Sequence, residues 1–442
     1  MAEANLLLEE LLIRAGVSNS RLARAIVSAA PHLNYDHSSV TRWIRDHQIP
    51  RDPVPQIICN ILSDQLRVPI SPADIGMDMP RGQNQQTAAR LIAEASALWT
   101  GETRGRLPQA LLTGPHASAP VWDWTSPPHS MVLLRDGARR ADVTDVADLR
   151  KLRTHYQQMY RRVGGEPVRH LLARTLTTRC APLLRSAYDN HLGRQLFRAA
   201  GGLAALAGVC AYDADLQPLG QRHLVTALRL AKAAGDRSFG AYVVALLANQ
   251  ALFLDDRLLT VQYVEAALRN GGSALDPALI IDLHALAGKA YARMGERDNF
   301  RTHLLKSTAI AGQLPVLPTE AEVSYVQPGL VETQAAEAFR RLNDLTAAEE
   351  HARESVLTAP GTHPRGRVHR YAGLALILAQ KRRPDEAAEM GNEMLTMAEG
   401  MESGRIHDRI LQVVTALRPF APDPAAADFL TRAEQHLRLR GR

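Results

Sequence analysis

Ala287-Gly288-Lys289-Ala290-Tyr291-Ala292-Arg293-Met294-Gly295 sets a small residue at Gly288, an aromatic ring three positions on at Tyr291, and a glycine four beyond that. Small residues let neighbouring helices approach closely, the aromatic fills the groove between them, and the glycine permits the backbone reversal that ends the helix. The spacing therefore predicts the first helix of a two-helix unit. Ala336, Phe339, Asn343, Ala348, Ala352 and Pro360 repeat the pattern through a second helix to a closing proline. Weaker copies centre on Leu206 to Tyr212, on Ala248 to Leu254 and on Gly373 to Gln380, with Pro384 opening a partner helix. The unit recurs roughly every 37 to 48 residues, which predicts about five stacked units over 201–442 burying one continuous core.

This unit resembles the tetratricopeptide repeat, whose stacked helix pairs form an α-solenoid with a concave face. Such a face binds extended peptides or protein segments. Asn249, Gln250, His284 and Lys289 fall on first-helix positions and are candidate groove contacts. Amides and a cation there would hold a peptide backbone or its carboxylate; the plainer reading is a set of solvated surface groups.

Composition agrees with an all-α chain. Apolar residues make up 46% and charged residues 22% of 442 positions, ordinary for a globular protein. Aromatics are only 5%, while alanine and leucine abound, which favours helix over sheet. The acidic, amphipathic first fifteen residues lack a signal-peptide pattern, and the apolar run Ala241 to Leu254 is too short to span a bilayer. Cys59, Cys180 and Cys210 are odd in number and far apart, so no disulfide framework or zinc knuckle is expected, and a cytoplasmic location is.

The first 77 residues read as a separate small domain. Leu6, Leu7, Leu8, Leu11, Leu12 and Ile13 predict a short helix closed by Gly16. Ser18 or Ser20 is placed to cap a second helix, with Leu22, Ala23, Ile26 and Val27 inward and Pro31 ending it. Asp36 caps a third helix over His37 to Asp46, with Val40, Trp43 and Ile44 on its core side. Ser38, Ser39, Thr41, Arg42 and Arg45 are assigned to the other side. Two short helices followed by one with small hydroxyls at its start and arginines along one face suit the major groove of DNA. Hydroxyls bind phosphate and arginine forks onto guanine. His37, Ser38, Ser39, Thr41, Arg42, Arg45 and Arg51 are the candidate DNA contacts.

Tyr35-Asp36-His37-Ser38-Ser39-Val40-Thr41-Arg42-Trp43-Ile44-Arg45, followed by Pro50 and preceded by Leu22, Ala23 and Ile26, resembles the helix-turn-helix of phage-repressor-type (XRE-like) regulators. More narrowly it is similar to Streptomyces-type actinobacterial regulators that carry such a head on a helical-repeat body. Gly164-Gly165, Ala181-Pro182-Leu183-Leu184, Ala205 to Asp213 and Gly220-Gln221-Arg222-His223 extend the likeness through most of the chain. One departure is a turn about seven residues longer than the general repressor pattern, around Ala30 to Tyr35. The resemblance implies a dimeric transcription regulator of development or secondary metabolism, whose body takes a peptide, a small molecule or a partner protein. The competing expectation is a tetratricopeptide-type interaction scaffold whose head does not bind DNA.

Between head and repeats, 78–143 reads as a linker and irregular segment, with one helix over 86–100 and Trp122 and Trp124 docking a loop onto the core. A helical connecting region follows over 144–200. Charge is uneven. Residues 1–70 hold seven arginines and seven acids, whereas 130–200 hold fourteen Arg or Lys and six acids. A neutral head predicts weak binding to DNA as a monomer, helped by dimerisation and by phosphate contacts from the basic stretch. Phosphate loops, dinucleotide fingerprints, zinc-protease motifs and nucleophile elbows are missing from the sequence, and no cofactor, metal or enzymatic activity is expected.

Overall fold

The computed structural model describes residues 5–438 apart from 31–32, 47, 51–52, 67–69, 71, 73, 78–80, 129, 134, 136–138, 273–274, 314–321 and 362, with the backbone alone over 81–86. The described residues are helical, with only two isolated bridges, Arg135 to Tyr188 and Arg140 to Ala187.

Four helices build the head: α1 (Leu6–Ala15), α2 (Asn19–Ala29), α3 (His37–Arg45) and α4 (Val54–Leu66). Gly16 ends α1 in the left-handed conformation at φ 62°, and Ser18 caps α2. Leu8, Leu22, Ile26, Val40, Ile58 and Leu62 fill a core of its own. Asn5 ties the two ends of this domain. Its backbone N–H donates to the Ile44 carbonyl at 2.7 Å and its side chain donates to the Ile75 carbonyl at 2.9 Å. Met77 is the last core residue of the head.

Helices α5 (Arg81–Thr103) and α6 (Pro115–Thr125) come next. The expected loop around the tryptophans is therefore helical, and the segment is a strap on the body rather than a linker. Burial explains the difference, since each strap helix has partners on the body that sequence periodicity does not reveal. Glu102 accepts from Arg169 at 3.0 Å and pairs with His223 at 2.7 Å, both carboxylate oxygens being engaged in the interior. The Gln221 side chain makes two hydrogen bonds to the Leu112 backbone, at 2.6 and 3.1 Å. Trp124 is buried against Gly240, where a Cβ would lie 2.1 Å from the indole nitrogen, whereas Trp122 is exposed.

Next come α7 (Val143–Val163) and α8 (Gly165–Thr175), then a π-helical turn, Leu176–Cys180, and the short α9 (Ala181–Leu184). Six antiparallel pairs follow among the described residues: α10 (Asn190–Asp213) with α11 (Gln217–Ala234), α12 (Arg237–Phe253) with α13 (Arg257–Asn270), and α14 (Pro277–Met294) with α15 (Arg297–Ala311). The remaining pairs are α16 (Leu330–Arg341) with α17 (Leu345–Leu357), α18 (Pro364–Gln380) with α19 (Pro384–Ala398), and α20 (Gly404–Leu417) with α21 (Pro424–Arg438). The five copies read from the sequence are the first five pairs. The sixth lacks the small–aromatic–glycine signature. The first pair begins within α10 at Asn190, not at 201, and one core runs from Ala88 to Val331 through strap, connecting helices and repeats. A second core spans Ala336 to Ala433.

One local device builds the first five pairs. Asp215, Asp255, Gly295, Asn343 and Arg382 all stand at φ between 61° and 82° just past the first helix. The residue after each donates its N–H five positions back, as Leu216 does to Ala211 and Arg383 to Leu378. This is a Schellman closure, which satisfies terminal carbonyls and reverses the chain.

The solenoid bends back on itself. Val163 accepts from the Glu402 N–H at 2.8 Å, and Gly164, at φ 88°, leaves no room for a side chain because its Cβ would lie 2.2 Å from the Glu402 carbonyl oxygen. Asp213, fully buried, sits at this junction. Its carboxylate accepts from the Gly165 N–H at 2.8 Å, from Ser403 Oγ at 2.9 Å and from the Arg365 guanidinium.

Two outcomes test this architecture. Asp213→Ala strands a buried guanidinium and should lower unfolding stability by about 3–5 kcal/mol, with a larger radius of gyration by solution scattering; an unchanged urea midpoint contradicts the closure. Arg382→Gly relieves a side chain in the left-handed region and should stabilise by about 1 kcal/mol.

Candidate functional site

Helix α3 is set by its cap. Asp36 Oδ1 accepts from the Ser39 N–H at 2.9 Å, Ser39 Oγ at 2.9 Å and Ser38 Oγ at 2.7 Å. The bond from Ser38, then those from Ser39, hold the Asp36 carboxyl well below the usual carboxylate range, so the cap stays ionised at neutral pH. On the inner face Val40, Trp43 and Ile44 are buried, Trp43 edge-on to Tyr35 with ring centroids 5.2 Å apart.

The outer face carries His37, Ser38, Arg42 and Arg45, all exposed and placed together as the helical spacing requires. Thr41 is half-buried; it donates to the His37 carbonyl at 2.9 Å and accepts from Asn19 Nδ2 at 3.3 Å, joining α2 to α3. Ser39 departs from expectation. Its hydroxyl turns back to the cap and the residue is buried, so it holds the helix instead of facing outward. Arg51 lies outside the described residues. Sequence reading missed Ser20 and Arg24 on α2, which share a hollow with Tyr35, Asp36 and His37 beside the start of α3. Their four-residue spacing after the Ser18 cap was the available signal.

The basic stretch at 130–200 is in part structural. Arg153 pairs with Glu322, Arg169 with Glu102 and Glu166, and Arg198 with Asp236 and Glu322, all at 3.5 Å or closer. These cations neutralise carboxylates inside the body. They are not free to meet phosphate.

The body encloses a second candidate site. The first helices of the pairs, together with α7, face a common interior space that comprises two adjoining cavities of about 280 and 220 Å³. Asn249, Tyr212, Tyr325, His363 and Arg365 line both. Lys289 lines the larger cavity but is paired with Glu337 at 3.1 Å. Burial pulls the Lys289 ammonium down, with the Glu337 charge opposing. The other two groove candidates sit elsewhere. Gln250 is 2% exposed and donates to the Gln217 carbonyl and side chain at 2.9 and 3.0 Å, between α11 and α12. His284 packs against His303 with their Nδ1 atoms 3.1 Å apart, and burial, then His303, lowers its pKa to about 4.

Arginine dominates the larger cavity. Arg340 of α16, Arg365, Arg367 and Arg370 of α18, and Arg405 and Arg409 of α20 line it with Lys289, against a single carboxylate among the described residues, Glu337. The pairs Arg365–His369 and Arg405–Arg409, four apart on first helices, were the overlooked signal. His363 is held at about 4 by burial and by Arg161 and Arg365, and His369 is pushed well down by burial and by Arg365, so both imidazoles are neutral near pH 7. The smaller cavity is more apolar, with Leu206, Val209, Leu246 and Tyr242 on its wall.

Among the described residues no cluster of three or more His, Cys, Asp or Glu is placed to hold a metal, and no helix is long and apolar enough to cross a membrane. All three cysteines are buried and unpaired.

Residues 8–78 match the SP15 N-terminal domain. The match begins on α1 and ends one residue past the head's core, so it covers the compact unit that carries α3. No curated protein matches the chain.

Asp282, on the wall of the smaller cavity, provides a pH test. Burial raises its carboxyl from 3.8 to about 6, against the Tyr325 hydroxyl that donates to it at 2.5 Å and the Lys289 charge. The folded pKa exceeds the unfolded one, so ionisation destabilises the fold progressively between about pH 4 and pH 6 and by a constant amount above. Asp282→Asn removes that penalty. Its stability advantage over the parent should be absent below about pH 4 and reach roughly 1–3 kcal/mol near pH 7. A difference that does not vary with pH would count against the assignment.

Proposed function

We propose that the chain is a sequence-specific DNA-binding transcription regulator, acting in the cytoplasm as a homodimer, whose helical body senses a ligand. The observation that carries this reading is the outer face of α3. His37, Ser38, Arg42 and Arg45 stand exposed on a short helix whose inner face, cap and contact with α2 hold it rigidly on the head. In this reading the α3 face enters the major groove, with Arg42 and Arg45 as base or phosphate contacts and Ser20 and Arg24 of α2 beside them at the backbone.

The head's balanced charge and the internal use of Arg153, Arg169 and Arg198 argue that a single copy binds weakly. Two heads at a fixed separation would multiply that weak affinity, and a ligand in the body would act by shifting the separation. Control of development or secondary metabolism follows only from the resemblance to Streptomyces-type regulators.

Genomic DNA captured on the full-length protein at physiological salt tests the reading. Discrete sites should be enriched, and Arg42→Ala with Arg45→Ala should weaken binding to them about 10- to 100-fold, as expected for lost base contacts. Uniform weak capture unaffected by those substitutions would leave the scaffold instead.

A further inference from the structure

We propose that the interior chamber of the helical body binds a small organic phosphate whose uncharged part is aromatic or apolar. The inference deepens the sensing role proposed above by naming the ligand class, and it rests on the body alone.

The first argument is charge. Of the seven Lys and Arg on the larger cavity, Lys289 and Arg409 share Glu337, Arg365 is taken by Asp213, and Arg405 lies 3.7 Å from Asp408. Arg340, Arg367 and Arg370 have no ion pair among the described residues. Among the described residues Arg367 reaches the Tyr371 hydroxyl, at 3.3 Å. Arg370 donates to the carbonyls of Ser355 and Pro328, both at 2.7 Å. A cavity lined by seven cations and, among its described residues, one carboxylate leaves much of that charge to be balanced by an anionic ligand. Burial, then Arg341, drives the Arg340 pKa down, with the Glu337 charge opposing and Arg409 and Arg293 adding to the shift.

The second argument is the kind of anion. Three unpaired guanidiniums exceed what one carboxylate neutralises. A dianionic phosphate monoester offers three terminal oxygens and accepts the planar forks of several arginines at once.

The third argument is shape. The cationic cavity adjoins the more apolar one across Tyr212, Asn249 and Tyr325, so a ligand with its phosphate among the arginines places its body against Leu206, Val209, Leu246 and Tyr242. The two volumes together are of the size that holds a small ligand.

Calorimetry on the full-length protein, without DNA, with phenyl phosphate, inorganic phosphate and phenol as probes, tests this. Phenyl phosphate should bind at least tenfold more tightly than either half. Arg340→Ala with Arg367→Ala should weaken it tenfold or more, and Leu246→Trp, which fills the apolar wall, should weaken phenyl phosphate while sparing inorganic phosphate. Circular dichroism and the urea midpoint of each variant establish that it is folded, and a misfolded arginine variant is replaced by Arg367→Gln. Undetectable binding of phenyl phosphate at millimolar concentration, or equal binding by parent and folded arginine variant, overturns the proposal. So does an acidic hexapeptide that binds more tightly than phenyl phosphate. Arg42→Ala with Arg45→Ala should leave phenyl phosphate binding unchanged, so failure of the DNA reading and failure of this one are separately visible.

Discussion

A single buried carboxylate, Asp213, holds the closure of the helical body. It accepts hydrogen bonds from the start of α8, from Arg365 on α18 and from Ser403 at the head of α20, elements up to 190 positions away from it in the chain. A charge in that position is tolerable only because every approach to it is a donor. Without it the Arg365 guanidinium would be the orphan, and the glycine at 164, which lets the backbone of α7 touch Glu402, would have nothing to approach.

The chamber's contents follow from the repeat geometry. In the first five pairs the left-handed residue after the first helix returns the chain, and the first helices, with Ala352 and Ser355 of α17, are left lining the space. Whatever charged residues sit at four-residue spacing on the inner side of α16, α18 and α20 must then converge. They are mostly arginines, and the carboxylates that pair with some of them come from only a few positions, Asp213 and Glu337 above all. The strap obeys the same rule of compensation. Glu102 is buried because Arg169 and His223 receive it, and α5 is thereby fastened across α8 and α11.

The head was more legible than the body's interior. Asp36 as cap, Val40, Trp43 and Ile44 as inner face, and Gly16 as helix end are local properties of a short stretch, and the structure shows each of them. Ser39 was misassigned because a capping carboxylate can draw two hydroxyls, and which of them turns inward depends on helix packing. In the body, Asn249 and Lys289 were found because they share a register with the repeat motif. Gln250, one residue along, points between α11 and α12, and His284 faces α15. The arginines of α18 and α20 escaped notice because no short motif marks them; only the curvature of the stack brings them to one cavity.

Short-range physics thus decided the helices, the caps, the turns and the pairing of neighbours, since each depends on residues within about two turns of one another. Much of this could be read from the sequence alone, down to the small–aromatic–glycine spacing at Gly288, Tyr291 and Gly295, although α6 and the sixth pair, which lack that signature, were not. The tertiary structure alone decided that the solenoid closes, that α5 and α6 form a strap, and that cations from three repeats surround one space. Those outcomes depend on small rotations summed over six helix pairs and on contacts such as Asp213 with Ser403, where sequence separation carries no trace of spatial proximity.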